Sequence, residues 1–245
     1  MPIHTFETMG TVASIRTRTA TRPASLNRLE SVFRRYDETF SLYRPASELS
    51  RIARREHELM NSTAGVRAAY AEAVEWRNLT AGDFTPHRPD GIIDLSGIVK
   101  ALSMNEAATL LDRMSPEGWL LDVGGDILSS PSFDEPWHIG IVDPADRTGL
   151  LCSVLLEAPW RAVATSGTAE RGEHVWRTDA TGDFTQVTVV AGDIVTADVL
   201  ATAILSGGRA RLDAATADYA IDVITVGRAG ELLTTPRLRS VLAAS

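Results

Sequence analysis

The spacing of apolar residues divides the chain into a helix-rich N-terminal half and a strand-rich C-terminal half. Apolar side chains recur at helical spacing over 23–40 and 62–79, and Ser96-Gly97 leads into a third helix. From Trp119 onward, short runs typical of strands dominate. The predicted strands are 119–123, 137–142, 151–157, 161–165 and 186–190. Because helices come early and strands come late, we expect an α+β fold, with residues 1–245 forming one compact domain.

Several shorter features complete this outline. Residues 11–19 alternate as a strand does, and Ser47 is placed to cap a short helix. Residues 82–91 are too rich in Gly and Pro for a helix and predict a loop, followed by a short strand over 92–95. Near the C-terminus the expected elements are a helix around Asp198, a second helix over 210–219 and a strand over 221–226.

The composition excludes several classes of protein. The 245 residues are 44% apolar and 23% charged, with a net charge of −8 and no run of Lys or Arg, which argues against a nucleic-acid partner. Cys152 is the only cysteine, so an intrachain disulfide and a thiolate metal centre are impossible. No apolar run reaches the roughly 18 residues of a membrane span, and no signal peptide is recognisable. We therefore expect a cytoplasmic protein.

A carboxylate and a hydroxyl stand four residues apart in an otherwise apolar helical run. Asp198 and Thr202 project from the same helix face, and small Ala neighbours leave room for a ligand. A buried carboxylate is costly unless it is paired or binds a metal, and a hard cation such as Mg²⁺ prefers oxygen ligands. The alternative is an Asp that caps or forms a salt bridge, with Thr202 bonding back to its own helix.

Two further segments have chemistry that suits a phosphate-bearing ligand. Asp94 and Ser96 lie at a helix start, where unpaired N–H groups suit an anion, and Lys100 adds a charge one turn later. The alternative is that Asp94 and Ser96 simply cap this helix. Gly124 and Gly125 allow the backbone to approach a ligand closely, although an ordinary hairpin turn explains them equally.

A third segment combines hydroxyls with an ionisable ring. Thr165-Ser166-Gly167 places two hydroxyls and a glycine at a strand end, and His174 follows with Arg171 close by in sequence. A histidine titrates near neutral pH and therefore suits a general base. The remaining histidines show no metal-binding spacing and are interpreted as structural or exposed. They are His4, His57, His87 and His138.

The order of these segments resembles the ApbE family of FAD:protein FMN transferases. The resemblance covers about residues 8–207 and adds several motifs to those above. The matching segments are Met9-Gly10-Thr11, 40–50, 82–86, 93–100, 124–127, 137–144, Thr165-Ser166-Gly167, Glu170-Arg171, His174 and 197–202. The resemblance implies one domain that binds FAD and Mg²⁺ and moves FMN onto a Ser or Thr of an acceptor protein with a flavinylation-type motif, releasing AMP.

The resemblance also implies individual roles. The implied metal ligands are Asp198, Thr202 and the backbone carbonyl of Gly97, and the implied base is His174. The positions implied to contact the flavin or line its site are Met9, Gly82, Asp83, Phe84, Asp94, Lys100, Gly124, Gly125, Asp126, Thr165, Ser166 and Gly167.

Several positions depart from the family pattern. The usual Phe-Asp-Pro reads Phe84-Thr85-Pro86, which loses a carboxylate. Other altered positions are Ala53, Ala101, Leu102, Asn105, Asp122, Ala169 and Val175-Trp176. These changes leave two alternatives open beside the transferase: an FAD pyrophosphatase that yields FMN and AMP, and a protein that binds FAD without turnover.

Overall fold

Two compact units make up the computed structural model, which describes residues 1–131, 136–167 and 182–241. The first unit comprises Met1–Gly124 and Leu128–Ser130, and the second comprises Gly125–Ile127 and Pro131–Ser245. Both units contain helices and strands, which confirms the expected α+β class. The expectation of a single domain over 1–245 stays a prediction.

The first unit combines a three-stranded antiparallel sheet with helices. Its strands lie in the order β1 (Ile3–Thr8), β2 (Thr11–Thr17), β3 (Trp119–Val123). Its helices are α1 (Pro23–Phe40), α2 (Glu48–Ala53), a 3₁₀ turn (Leu59–Asn61), α3 (Ala64–Leu79) and α4 (Ser96–Met114). The sequence predicted α1 at its observed bounds, and the Ser47 hydroxyl accepts from Ser50 N–H as the expected cap of α2.

The core of the first unit lies between the sheet and the helices. Ala13 and Ile15 on β2 are buried, whereas Val12 on the opposite face is 55% exposed, as alternation along a half-covered strand requires. Helix α1 packs against α4 and buries Leu29 and Phe33 completely. Apolar burial on one stripe of α1 therefore explains why this segment is helical.

The second unit is built around an antiparallel sheet covered by one long helix. The sheet order is β7 (Ala162–Gly167), β8 (Phe184–Ala191), β9 (Asp222–Gly227), β10 (Leu232–Thr234). Helix α5 (Ile194–Asp218) packs against β7 and β8. The remaining elements are the ribbon of β5 (Trp137–Val142) and β6 (Leu150–Leu156), and the short α6 (Pro236–Val241). Strand β4 (Asp126–Ser129) is divided between the two units.

The predicted strand over 92–95 is wrong. Only an isolated bridge between His87 and Ile93 forms there, because the Asp94 carboxylate accepts the Ser96 N–H at 2.9 Å and turns the chain into α4. The helix predicted from Ser62 begins two residues later. The Ser62 hydroxyl donates to the Leu59 carbonyl of the preceding turn and is not available to cap α3.

The two helices predicted near the C-terminus are joined into α5 across a kink. Gly208 has φ 62° and ψ −149°, a conformation open to glycine, and it interrupts the helical backbone. The helix resumes at Arg209, whose N–H donates to the Asp183 carboxylate at 2.8 Å. The largely buried first half of α5, which carries Asp198 and Thr202, is thereby separated from a second half that buries only one side of the helix.

Two further expectations concern membranes and the thiol. No helix within the described residues has the length and apolar character needed to cross a membrane. Cys152 lies on β6 with 8% exposure, and burial raises the pKa of its thiol. It is therefore the small buried apolar residue that the sequence predicted.

Phe33→Ala tests the core of the first unit. Phe33 is fully buried on α1 and packs against the ring of Phe6 with centroids 5.4 Å apart. We expect the free energy of unfolding, measured by urea denaturation, to fall by about 3–5 kcal/mol, because removing the ring leaves a cavity that neighbouring side chains fill only in part. As a control, Tyr43→Ala removes an aromatic side chain that is 85% exposed and should change it by less than about 0.5 kcal/mol. Equal losses in both variants would contradict this core assignment.

Candidate functional site

Asp198 and Thr202 lie one turn apart on α5, as the sequence predicted. The helix begins at a well-formed cap, where the Asp193 carboxylate accepts the Thr196 N–H at 2.8 Å. Asp198 is only 1% exposed, and an ionised carboxylate removed from water in this way is costly unless hydrogen bonds or a cation compensate for its charge. This burial is the feature that singles out the pair.

The Thr202 hydroxyl contacts a residue of the neighbouring strand. Its Oγ1 lies 3.1 Å from Oγ of Ser166 on β7, within hydrogen-bond distance. The alternative in which Thr202 bonds back to its own helix is therefore not what the structure shows. Ser166 is 8% exposed and Thr202 is half-buried, so this hydroxyl pair lies at a partly buried contact between α5 and β7.

Thr165 and Ser166 point to opposite faces of β7. Thr165 Oγ1 lies 2.9 Å from Oγ1 of Thr188, its cross-strand partner on β8. Its backbone N–H donates to the carboxylate of Asp126, which is 1% exposed, at 3.1 Å. Because side chains alternate along a strand, the structure brings the Ser166 hydroxyl, and not that of Thr165, to Thr202.

The donor set of Ser166, Asp198 and Thr202 fits a hard cation. All three supply oxygen, which Mg²⁺ prefers, and the buried carboxylate provides the negative charge that a cation offsets. No group of three or more His, Cys, Asp or Glu suited to a metal occurs within residues 1–131, 136–167 and 182–241. A magnesium ion bound here would be coordinated by few protein carboxylates. Its remaining coordination positions would be open to water and phosphate oxygens, as is common for this ion.

In the first unit, the Asp94 side chain forms a local turn immediately before α4, whose N-cap is Leu95 without a side-chain cap. Asp94 Oδ1 accepts the Ser96 N–H, while the N–H groups of Ile98 and Val99 donate to the Leu95 carbonyl. Ser96 is exposed and does not cap the helix. Lys100 follows one turn later and is half-buried. Contacts of Asp94 and Lys100 with a flavin stay predictions.

Gly97 is a glycine because an aromatic ring lies against it. A Cβ built on Gly97 would stand 3.0 Å from Cε2 of Phe84, tighter than most real contacts. Phe84 is 3% exposed, and its N–H donates to the Thr80 hydroxyl at the end of α3. The sequence alone offered no sign of this packing. Coordination of a metal by the Gly97 carbonyl stays a prediction.

Two hairpin turns carry further predicted flavin contacts. Met9 and Gly10 join β1 to β2 with φ of 49° and 73°, so Met9 holds a left-handed conformation that is uncommon for residues other than glycine. Its Sδ lies 3.7 Å from the Ser103 hydroxyl. Gly124 and Gly125 both have positive φ between β3 and β4, which is the hairpin alternative. A Cβ on Gly124 would also meet Thr11 Oγ1 at 2.7 Å.

The remaining predicted residues are placed as follows. Gly82 adopts φ 93° at the end of α3 and donates its N–H to the Arg77 carbonyl, which makes it a helix-terminating glycine, with Asp83 next in the chain. Gly167 is the last residue of β7. The predicted base His174 lies outside the described residues.

The other histidines are consistent with structural or exposed positions. His4 lies 2.7 Å from Glu30, His87 lies 3.0 Å from the Tyr70 hydroxyl, and His138 is exposed on β5. Burial, followed by the charge of Arg77, lowers the pKa of His87 below its usual value.

Comparisons with known proteins place this geometry in context. A model of the ApbE family matches residues 9–88 and 87–225. Among solved structures, the ApbE protein of Thermotoga maritima has a TM-score of 0.81 and 18% identity, covering 99% of each chain. The flavin transferase ApbE of Vibrio cholerae has a TM-score of 0.77 and 21% identity, covering 98% of this chain and 99% of that one. These identities show a shared fold.

A third similar structure is the apo form of the flavinyl transferase ApbE of Pseudomonas stutzeri. It has a TM-score of 0.76 and 16% identity, and covers 99% of this chain and 97% of that one. The search of curated proteins returns no match.

Gly97→Ala and Gly65→Ala form a matched pair that tests the contact with Phe84. Gly65 lies in the first turn of α3 with nothing near its missing Cβ, so alanine there should raise the free energy of unfolding by about 0.5–1 kcal/mol. Gly97→Ala should lower it by about 1–3 kcal/mol, because the new Cβ displaces the Phe84 ring. Urea denaturation measures both. An increase in the free energy of unfolding in both variants would show that the Phe84 ring moves aside without an energetic cost.

Proposed function

The chain belongs to the ApbE family, and from this membership we propose that it transfers the FMN half of FAD to a Ser or Thr hydroxyl of an acceptor protein, using Mg²⁺ and releasing AMP. The observation that carries the proposal is the buried Asp198 carboxylate, one helical turn from Thr202, whose hydroxyl lies 3.1 Å from that of Ser166. A single carboxylate with neutral oxygens suits an ion that completes its coordination with the phosphates of a substrate.

The proposed reaction breaks the phosphoanhydride bond of FAD and forms a phosphate ester between FMN and the acceptor hydroxyl. The acceptor oxygen attacks the phosphorus of the FMN half, and the bond from that phosphorus to the AMP oxygen breaks. AMP leaves, and the proton of the acceptor hydroxyl passes to a base, for which the sequence predicts His174. Catalysis of this kind is mostly positioning and charge neutralisation.

The chain's own residues would divide this work between holding the ion and fixing the phosphates. Asp198 and Thr202 would hold Mg²⁺, and the Gly97 carbonyl is the further ligand predicted from the family. When bound, the ion would offset the charge that develops on the departing AMP. Asp94 already accepts the Ser96 N–H, so part of the positive end of α4 is neutralised. We therefore assign phosphate recognition there chiefly to Lys100.

Incubation of the full chain with FAD tests the activity directly. With Mg²⁺ and an acceptor that carries a flavinylation-type Ser or Thr motif, we expect AMP by chromatography and a covalently fluorescent acceptor on a denaturing gel. Without Mg²⁺ both products should be lost. AMP and free FMN in equal amounts without acceptor would make water the acceptor and the protein an FAD pyrophosphatase. FAD binding without any AMP would contradict catalysis altogether.

Asp198→Asn tests the metal site by stability as well as by turnover. In the wild type, Mg²⁺ at a hundred times its dissociation constant should raise the free energy of unfolding by about 2.7 kcal/mol. Asp198→Asn should abolish this increase, because the amide lacks the charge that binds the ion, and AMP release should fall roughly a hundredfold or more.

Asp222→Asn is the matched control for this experiment. Asp222 is also a buried carboxylate of the second unit, 4% exposed, and it accepts from the Thr235 hydroxyl at 2.6 Å. This variant should lose stability yet keep the full Mg²⁺-dependent increase. A Mg²⁺ response that survives in Asp198→Asn would show that the ion binds elsewhere.

A further inference from the structure

A short hairpin-like segment, residues 82–94, connects α3 to α4. The Arg88 N–H donates to the Ile92 carbonyl and the Asp94 N–H donates to the Pro86 carbonyl, on either side of the isolated bridge between His87 and Ile93. We call residues 82–94 the connecting hairpin. The connecting hairpin contains four of the predicted flavin residues, and those whose contacts are described above are Phe84 near its first end and Asp94 at its last residue.

One side chain of the connecting hairpin reaches helix α3. His87 Nε2 lies 3.0 Å from the hydroxyl of Tyr70, and the two rings meet edge to face with centroids 5.7 Å apart. Burial, and to a lesser degree Arg77, lowers the pKa of His87, so the ring is neutral near pH 7. A neutral ring has one acceptor nitrogen, and we assign it to Nε2, with the Tyr70 hydroxyl as donor.

The backbone of the connecting hairpin is also fixed at Thr85. The His87 N–H donates to the Thr85 hydroxyl at 3.2 Å, a side-chain-to-backbone turn of the kind that Asp also makes. Thr85 stands where the family pattern has a carboxylate, so this chain keeps the turn and loses the charge. The adjacent Phe84 ring then lies on Gly97 in the first turn of α4.

We propose that the Tyr70–His87 hydrogen bond is a positioning contact that sets the affinity of this protein for FAD, by holding the connecting hairpin against α3 and thereby fixing Phe84 and Asp94 at the start of α4. The inference rests on the proposed function. Neither Tyr70 nor His87 touches the reacting atoms in this proposal. Their loss should therefore weaken FAD binding and leave the rate of the bound complex intact.

Four variants and a matched control test the proposal in the full chain. Tyr70→Phe and His87→Phe each remove the hydrogen bond and keep an aromatic ring. Each should raise KM and the dissociation constant for FAD about fivefold, the effect of one lost hydrogen bond, with kcat changed less than about twofold. The double variant should be no worse than either single one, because both remove the same contact. His87→Gln, whose amide reaches the position of Nε2, should restore part of the affinity.

Tyr36→Phe is the control. Tyr36 lies on α1 in the same unit, half-buried, and burial followed by the charge of Glu106 raises the pKa of its hydroxyl to about 12. Its loss should alter stability without altering FAD affinity. An unchanged FAD affinity in Tyr70→Phe, a fall in kcat at constant KM, or additive effects in the double variant would each overturn the proposal.

The failure of the proposed function is distinguishable from the failure of this inference. FAD affinity is measured by quenching of flavin fluorescence and needs no turnover. A wild type that binds FAD but releases no AMP would remove the transferase proposal, while a fivefold weaker FAD complex in Tyr70→Phe would still support the positioning contact. A wild type that binds no FAD would remove both.

Discussion

The burial of the Asp198 carboxylate is the constraint on which the candidate chemistry depends. A helix that covers a sheet normally turns apolar side chains inward, and α5 does so along nearly its whole first half. An ionised group placed there lowers stability unless hydrogen bonds or a cation offset its charge. Packing alone does not explain why this helix has a carboxylate at position 198.

The proposed cation at Asp198 would be shared with a substrate. Thr202 and Ser166 offer neutral oxygens to each other at the contact of α5 with β7, and neither adds negative charge. A site with more carboxylates would bind a metal tightly without substrate. With one carboxylate, the proposed ion would complete its coordination with the phosphates of a dinucleotide, and metal binding would then be linked to substrate binding.

Several of the residues predicted to contact the flavin lie in tightly packed or conformationally restricted positions of the first unit, or next to them. Phe84 lies on Gly97, Met9 holds a left-handed turn, and His87 ties the connecting hairpin to α3. Such strained or tight positions persist only where the surrounding structure supports them. At Thr85 the hydroxyl accepts the His87 N–H and forms a local turn without the negative charge that the family pattern has at this position.

The sequence by itself determined the α+β class, the bounds of α1, the break between the two halves of α5 and the pairing of Asp198 with Thr202, because each follows from local spacing along one element. Only the tertiary structure decided which hydroxyl of β7 meets Thr202, which side chain packs against Gly97, and that Asp94 replaces a predicted strand by a turn before α4. These outcomes depend on residues far apart in the chain or on competition between a side chain and the backbone for one N–H group. Local periodicity contains no information about either.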